Sequence, residues 1–296
     1  MSSEITKTKN QSSKLFYWIL FAVFFGVSAI YLLFSTFGDK NLHVYFLDVG
    51  QGDSTYVRTV NNHDILIDGG PDSSILSELG EVMPLWDNKI ETIILTHPHA
   101  DHVVGLIEVI KRYKVDEIIT TNETHTSNEY IEFLNQIKIN NISLKIVELN
   151  SVKEIDANTK IEFIWPDENY KTSSNDNLNN SSIVGKLSFD KFNLLLTGDI
   201  EIDAENLILE NNKSKLENIN VLKVPHHGSK NVLENFISEI NPDVAVISVG
   251  QKNKFGHPSK NILELLTKMK TKIFRTDNNG RIEIISNGKY FWTKAE

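Results

Sequence analysis

Residues 97–102 read His-Pro-His-Ala-Asp-His, three histidines and a carboxylate in six positions of a chain with nine histidines in 296 residues. Imidazoles and carboxylates are the donors that hold zinc and manganese. The stretch follows the apolar run Thr92–Leu95 and precedes an apolar helical pattern, so it belongs on a strand-to-helix turn. There His97 and His99 can point one way and Asp101 and His102 another, as two adjacent metal ions require. Three more strand ends carry the same residue types. Leu194-Leu195-Leu196-Thr197-Gly198-Asp199 delivers Asp199, Val221–Val224 leads through Pro225 to His226 and His227, and Ile65-Leu66-Ile67 leads to Asp68. Alone, Gly198-Asp199 would read as a turn; with the other clusters it is a candidate ligand. Asp68 can orient a ligand histidine through its free ring N–H. In an extended chain neighbouring side chains alternate, so at most one of His226 and His227 is expected to bind metal.

Two such ions would lower the pKa of a shared water toward 7, and Asp101 or Asp199 would orient it for attack on phosphorus or a carbonyl carbon. His257, in Phe255-Gly256-His257-Pro258-Ser259, is a candidate to protonate the leaving group or grip a phosphate. Asp53 and Ser54, in Gly50-Gln51-Gly52-Asp53-Ser54, are expected near the site. Gly228, Ser229 and Lys230 could supply N–H, hydroxyl and cationic contacts to an anion. His43 and His63 read as structural.

The elements that must position these residues are short. Thirteen β-branched or apolar runs recur between turn signals, among them Thr92–Thr96, Asn193–Thr197 and Val221–Val224. Helical patterns stand between them, including Val103–Tyr113 and Ile202–Glu210. This pattern predicts an α/β domain of two sheets sandwiched by helices, not one parallel sheet. No internal repeat is present, and Tyr170–Ser181 reads as an exposed polar loop. With no cysteine, disulfides, thiolate metal sites and thiol nucleophiles are excluded.

Leu15–Phe37 contains no charge across 23 residues. At about 1.5 Å per residue it reaches about 34 Å, enough for a bilayer core. The expected organisation is a cytoplasmic N-terminus at 1–14, a transmembrane anchor at 15–37 and a catalytic domain at 41–296. A cleaved signal peptide ending near Val27-Ser28-Ala29 is the alternative. Lys7, Lys9 and Lys14 precede the span against Glu4 alone, which puts the domain on the extracellular side of the cell membrane. Residues 41–296 hold 26 basic and 37 acidic side chains, a net charge of −11. Such a domain has no general attraction to nucleic acid, and a polyanionic substrate would need a local cationic site.

Together, strand-end Asp68, the HxHxDH run at 97–102, Asp199 and the later strand-end histidines resemble the metallo-β-lactamase superfamily. Within it, the stretches FLDVGQGDS (46–54), THPHADH (96–102), LLTGD (195–199), VPHHGS (224–229), FGHPS (255–259) and RTDNNG (275–280) resemble the hydrolase domain of ComEC-type DNA-uptake proteins and their stand-alone relatives. The resemblance implies an αββα sandwich with a dinuclear site for Zn²⁺ or Mn²⁺. His97 and His99 would hold the first ion, Asp101, His102 and His226 or His227 the second, and Asp199 would bridge them. Many members supply a third histidine to the first ion. Here the only histidine between 103 and 198 is His125, which comes too early, and Asn179-Asn180-Ser181-Ser182 stands at that place. Asn179 and Ser182 are therefore candidate neighbours of a more weakly held first ion, and Mn²⁺ competes with Zn²⁺ there. The expected activity is hydrolysis of phosphodiester bonds, with nucleic acid a possible substrate and no specific protein partner. Phosphorylcholine-esterase-like, lactone, thioester or β-lactam hydrolysis on the same site is the alternative, and a non-enzymatic binding module is disfavoured by the intact ligand positions.

Overall fold

A computed structural model describes residues 16–30, 39–167, 170 and 178–296. The chain divides into two units, residues 1–40 and 41–296. In the first, helix α1 covers 16–30 and its side chains are largely exposed. Of the 23-residue span expected over 15–37, the structure supports only this helix: among the described residues no helix is long and apolar enough to cross a membrane. Residue 15 and residues 31–37 lie outside the described residues.

The second unit is built from two sheets. The first has the strand order β15 (Phe291–Ala295), β14 (Ile282–Ser286), β1, β2, β3, β4, β5 (Lys114–Thr120), β6 (Ser143–Ile146), and the second β13 (Lys272–Arg275), β12, β11, β10, β9 (Val184–Phe189), β8 (Thr159–Trp165), β7 (Val152–Asp156). The strands that matter for the site are β1 (Leu42–Phe46), β2 (Thr55–Arg58), β3 (Asp64–Ile67), β4 (Lys89–Ile94), β10 (Phe192–Leu196), β11 (Val221–Lys223) and β12 (Val244–Ile247). β3 and β4 run parallel, as do β10, β11 and β12. Their carboxyl ends, where ligands gather in open parallel sheets, carry the candidate residues.

Side-chain alternation divides the interior into three apolar layers. Val44, Phe46, Ile65 and Ile67 face Leu194, Leu196, Val221 and Val246 between the sheets. On the outer face of the first sheet, Leu66, Ile93 and Leu95 meet Ile75 and Leu79 of α2 (Ser74–Val82), Val103, Leu106 and Ile110 of α3 (Ala100–Arg112), and Tyr130 and Phe133 of α4 (Asn128–Ile139). On the second, Leu195, Leu222, Val224 and Ala245 meet Ala204 and Ile208 of α5 (Ile202–Asn211), Phe236 and Ile237 of α6 (Glu234–Ile240), and Ile262 and Leu266 of α7 (Lys260–Lys268). Three buried layers between four structural layers give the αββα order expected from the sequence.

Candidate metal centre

Helix α3 begins at Ala100, three residues earlier than the apolar pattern suggests, so Asp101 and His102 occupy its first turn and His99 caps it. Pro98 disfavours helical backbone at His97, so the helix starts beyond it, and β4 ends at Ile94. The helix docks tightly on the end of β3 because both partners are glycines. A Cβ at Gly105 would lie 1.9 Å from the Gly69 carbonyl oxygen, while the Gly69 N–H donates to the His102 carbonyl at 2.8 Å. That close approach sets His102 against Asp68.

Hydrogen bonding fixes the orientation of three imidazoles. Asp68, at φ 58° just past β3, accepts from the Thr96 N–H and hydroxyl and from His102 Nδ1, each at 2.8 Å. His227 Nδ1 donates to the Ser248 carbonyl at 2.8 Å. His97 Nδ1 lies 3.1 Å from the Thr96 hydroxyl and 3.2 Å from that of Ser182. Those hydroxyls already meet Asp68 and the Asp199 N–H respectively, the latter at 3.1 Å. Each ring therefore keeps its Nε2 for the cleft. His102 Nε2 and His227 Nε2 approach Asp199 Oδ2 to 3.3 and 3.2 Å, and Asp101 Oδ2 stands 3.5 Å from His227 Nε2. His97 Nε2 faces His99 Nδ1 at 3.0 Å.

Asp199 is delivered through Gly198, whose φ of 50° and contact with Ser182 (2.7 Å from an added Cβ) leave no room for a side chain. The histidine pair is not extended, as the alternation argument supposed. His226 (φ 45°, ψ 49°) and His227 (φ 54°, ψ 22°) are both left-handed within the turn Pro225–Gly228, a conformation costing roughly 1–2 kcal/mol per residue. Strain of this kind gathers at functional sites. The two rings still separate. His227 is buried among the acids, whereas His226 sits at the rim, 2.9 Å from Glu201 Oε1 and 3.9 Å from Asp199 Oδ2.

Asp101, His102, Asp199 and His227 place one ligand atom each within 4.8 Å of one another. Two buried imidazole nitrogens there, His102 Nε2 and His227 Nε2, have no hydrogen-bond partner among the described residues. The charges agree with a cation position. Burial pushes the Asp101 carboxyl up, but His102 and His227 outweigh it and hold it at about 2. Burial disfavours imidazolium at His102 and His227, yet Asp199 and the neighbouring acids lift both well above the usual histidine range. A divalent cation among these atoms would replace those protons, and this donor set fits one. Burial drives His97 and His99 the other way, to neutral imidazoles with lone pairs to offer. His97 and His99 make up a second set of donors beside the first.

The remaining candidates divide. Ser182 lies between His97 and Asp199. Asn179 donates to Glu201 Oε1 at 3.2 Å, beside His226. Asp53 stands beneath the site, 3.3 Å from His227 Nδ1. His257 packs against His226 (centroids 5.4 Å apart) and His227 (6.2 Å), and burial with those two neighbours lowers its pKa to about 4. Ser229 is not brought to the cleft: it is buried, and its hydroxyl accepts from the Asn231 N–H at 3.2 Å. His125, distant in sequence terms, has its ring 6.2 Å from that of His99. Lys223, which the sequence reading passed over, ends β11 buried under the site. It donates to the Gly198 carbonyl at 2.8 Å, meets Asp199 Oδ1 at 3.4 Å and pairs with Asp53. Burial works against its charge, but Asp53 and Asp199 raise its pKa nonetheless.

This arrangement coincides with a family match, the metallo-beta-lactamase superfamily, over residues 47–251. The chain belongs to that superfamily. It is a hydrolase of the metallo-beta-lactamase fold with candidate metal-binding residues in place. It is 29% identical over 274 residues to ComE operon protein 3 of Bacillus subtilis, covering 86% of this chain and 34% of that protein. It is 28% identical over 264 residues to Recombination protein 2 of Haemophilus influenzae, covering 86% and 30%. The superfamily chain thus spans about a third of the length of these curated relatives, in keeping with a ComEC-like type. Among solved structures, the metallo-beta-lactamase fold protein YhfI from Bacillus subtilis matches at a TM-score of 0.55 with 12% identity, over 86% of this chain and 100% of that one. Igni18, a metallo hydrolase from Ignicoccus hospitalis, matches at 0.53 with 13% identity, over 82% and 98%. At these identities the structures speak for the fold alone.

Proposed function

We propose that the chain hydrolyses phosphodiester bonds at a dinuclear centre of Zn²⁺ or Mn²⁺. The observation that carries this reading is the pair of adjoining donor sets, Asp101 with His102, Asp199 and His227, and His97 with His99 against the His102 ring. Divalent ions held there supply a water acidified toward neutral pH and a positive field for the anionic transition state. The chain's own residues do the positioning. Asp68, Ser248 and the hydroxyls of Thr96 and Ser182 lock three imidazoles with Nε2 inward. Lys223 fixes one oxygen of Asp199 so that the other faces the cleft, and Asp101 orients the attacking water. His257, neutral at pH 7, donates its ring N–H to a phosphoryl oxygen or the leaving group. The stretch Asn179–Ser182, which stands where many relatives supply a third histidine, leaves the first ion with fewer nitrogen donors, which suits a harder ion such as Mn²⁺.

The test is turnover by the full chain, stripped of metal and reloaded with Mn²⁺ or Zn²⁺, of chromogenic phosphodiester, phosphocholine-ester and lactam substrates. Metal-dependent phosphodiester cleavage, abolished in a folded Asp199→Asn variant, is the expected result. Hydrolysis of the lactam with the phosphodiester untouched would replace this reading with carbon-centred chemistry.

The uncharged stretch around α1 further leads us to propose membrane attachment through residues 15–37, with the catalytic unit outside. Protease added to intact protoplasts should then digest residues 41–296; protection until lysis reverses the topology.

A further inference from the structure

The loop after β12 holds an aromatic ring in water beside the metal centre. Phe255 is 70% exposed, although it belongs to a well-tied segment. Asn253 closes that segment on itself. Its Oδ1 accepts from the His257 N–H at 3.0 Å, and its Nδ2 donates to the carbonyls of His257 at 2.8 Å and Gly250 at 3.0 Å. Gly256, at φ 74°, turns the chain between the ring and His257. Phe255 stacks on His257 with centroids 5.7 Å apart and planes 28° apart. His257 in turn stacks over His227 at 6.2 Å and 27°. Three rings therefore run from the buried acids to solvent, the innermost a candidate ligand and the outermost with an open face. Lys252 and Lys254, both exposed, precede Phe255 in the same loop, on a unit whose net charge is −11.

An exposed aromatic with adjacent cations is the combination that binds single-stranded nucleic acid, the ring stacking a base and the cations meeting phosphates. We propose that Phe255 is a specificity-determining residue of this hydrolase: it stacks the nucleobase adjoining the scissile phosphodiester, while Lys252 and Lys254 hold the flanking phosphate. The inference rests on the phosphodiesterase reading above. It also explains how an acidic unit could take a polyanion, since the positive charge is needed only beside the cleft.

The test compares thymidine 5′-(p-nitrophenyl phosphate) with ethyl p-nitrophenyl phosphate, which has the same chromophore and no base, on the full chain loaded with Mn²⁺. Phe255→Ala should lower the ratio of kcat/KM for the two substrates about 5- to 150-fold, while Phe255→Trp keeps it within a few-fold. An unchanged ratio, or an equal fall on both substrates, overturns the proposal. A second arm needs no turnover: equilibrium binding of a fluorescein-labelled ten-residue oligothymidylate to the metal-free chain. Phe255→Ala should weaken it, and Lys252→Gln with Lys254→Gln should reduce the slope of log affinity against log salt by about 1.4. If the wild type cleaves neither substrate, the phosphodiesterase reading fails. Loss of oligonucleotide binding in Phe255→Ala would then still support the stacking role, and binding that is absent or unaffected by the substitution would overturn it.

Discussion

Lys223→Met tests whether the cation under the cleft holds the centre together. The side chains of Lys223, Asp53 and Asp199 are 3%, 5% and 3% exposed, so solvent does not screen their interaction. Methionine matches the length of the lysine stem but leaves Asp53, Asp199 Oδ1 and the Gly198 carbonyl without their donor. Removing one partner from a buried pair costs about 3–5 kcal/mol. For a unit of this size each kcal/mol moves Tm by about 2–4 °C, so the metal-free variant should melt about 6–20 °C below the wild type. Excess Mn²⁺ should shrink that difference, because a cation beside Asp199 neutralises part of the charge that Lys223 otherwise balances. Differential scanning calorimetry of the full chain in EDTA and in MnCl₂ measures both gaps. Turnover should fall about 10- to 100-fold, as when a group orienting a ligand is removed. A difference below about 2 °C in EDTA, or an identical difference with and without metal, would refute the argument that Lys223 serves the ligand carboxylate.

His227→Ala and His226→Ala should differ in kind: the first should lose metal and kcat together, and the second should keep its metal and alter KM or kcat alone, as elemental analysis with steady-state kinetics would reveal. Replacing His97 and His99 together with Ala should remove about one equivalent of metal and most activity, and undiminished metal in that variant would dissolve the first donor set. Glu205, buried in α5 with, among the described residues, only the Leu233 N–H on its carboxylate at 2.6 Å, has its pKa raised by burial from 4.5 to about 9. The folded chain therefore binds the proton more tightly than the unfolded one, and this stabilisation, complete below pH 4.5, is lost as the pH rises through about 9. Glu205→Gln should flatten that fall in denaturation midpoints measured from pH 5 to 9, and an unchanged slope would assign the fall to other groups.

The interior strands and the strand-end ligands were readable because burial on both faces produces unbroken apolar runs that stop at polar residues, as in Ile65–Asp68 and Leu194–Asp199. Two strands lie outside the thirteen apolar runs, β7 (Val152–Asp156) and β15 (Phe291–Ala295), and both lie at sheet edges. Lys153, Glu154 and Lys294 break their apolar pattern, which an edge strand tolerates because one side meets water. The start of α3 at Ala100 is hidden from apolar periodicity for a related reason: its first turn is spent on Asp101 and His102, so the pattern begins only at Val103. The left-handed turn at His226 and His227 left no mark in the sequence beyond Pro225 and Gly228, since propensity argues against that backbone for histidine. It is imposed by the site's surroundings.

Lys223 was legible in principle, given one further step. Along β11 the side chains alternate: Leu222 and Val224 pack on the helix side, and Val221 lies between the sheets. Lys223 must therefore enter the space between the sheets, where an ammonium survives only if carboxylates meet it. One of these, Asp199, comes from the end of the neighbouring strand in the same sheet. The other, Asp53, comes from the connection between β1 and β2 of the opposite sheet, so the pair ties the two halves of the sandwich together directly beneath the cleft. A lysine inside an apolar strand that ends in paired histidines thus carries more information than its hydropathy suggests. It requires an acid on the facing sheet, and the Gly-Asp-Ser at 52–54, far away in sequence, supplies it.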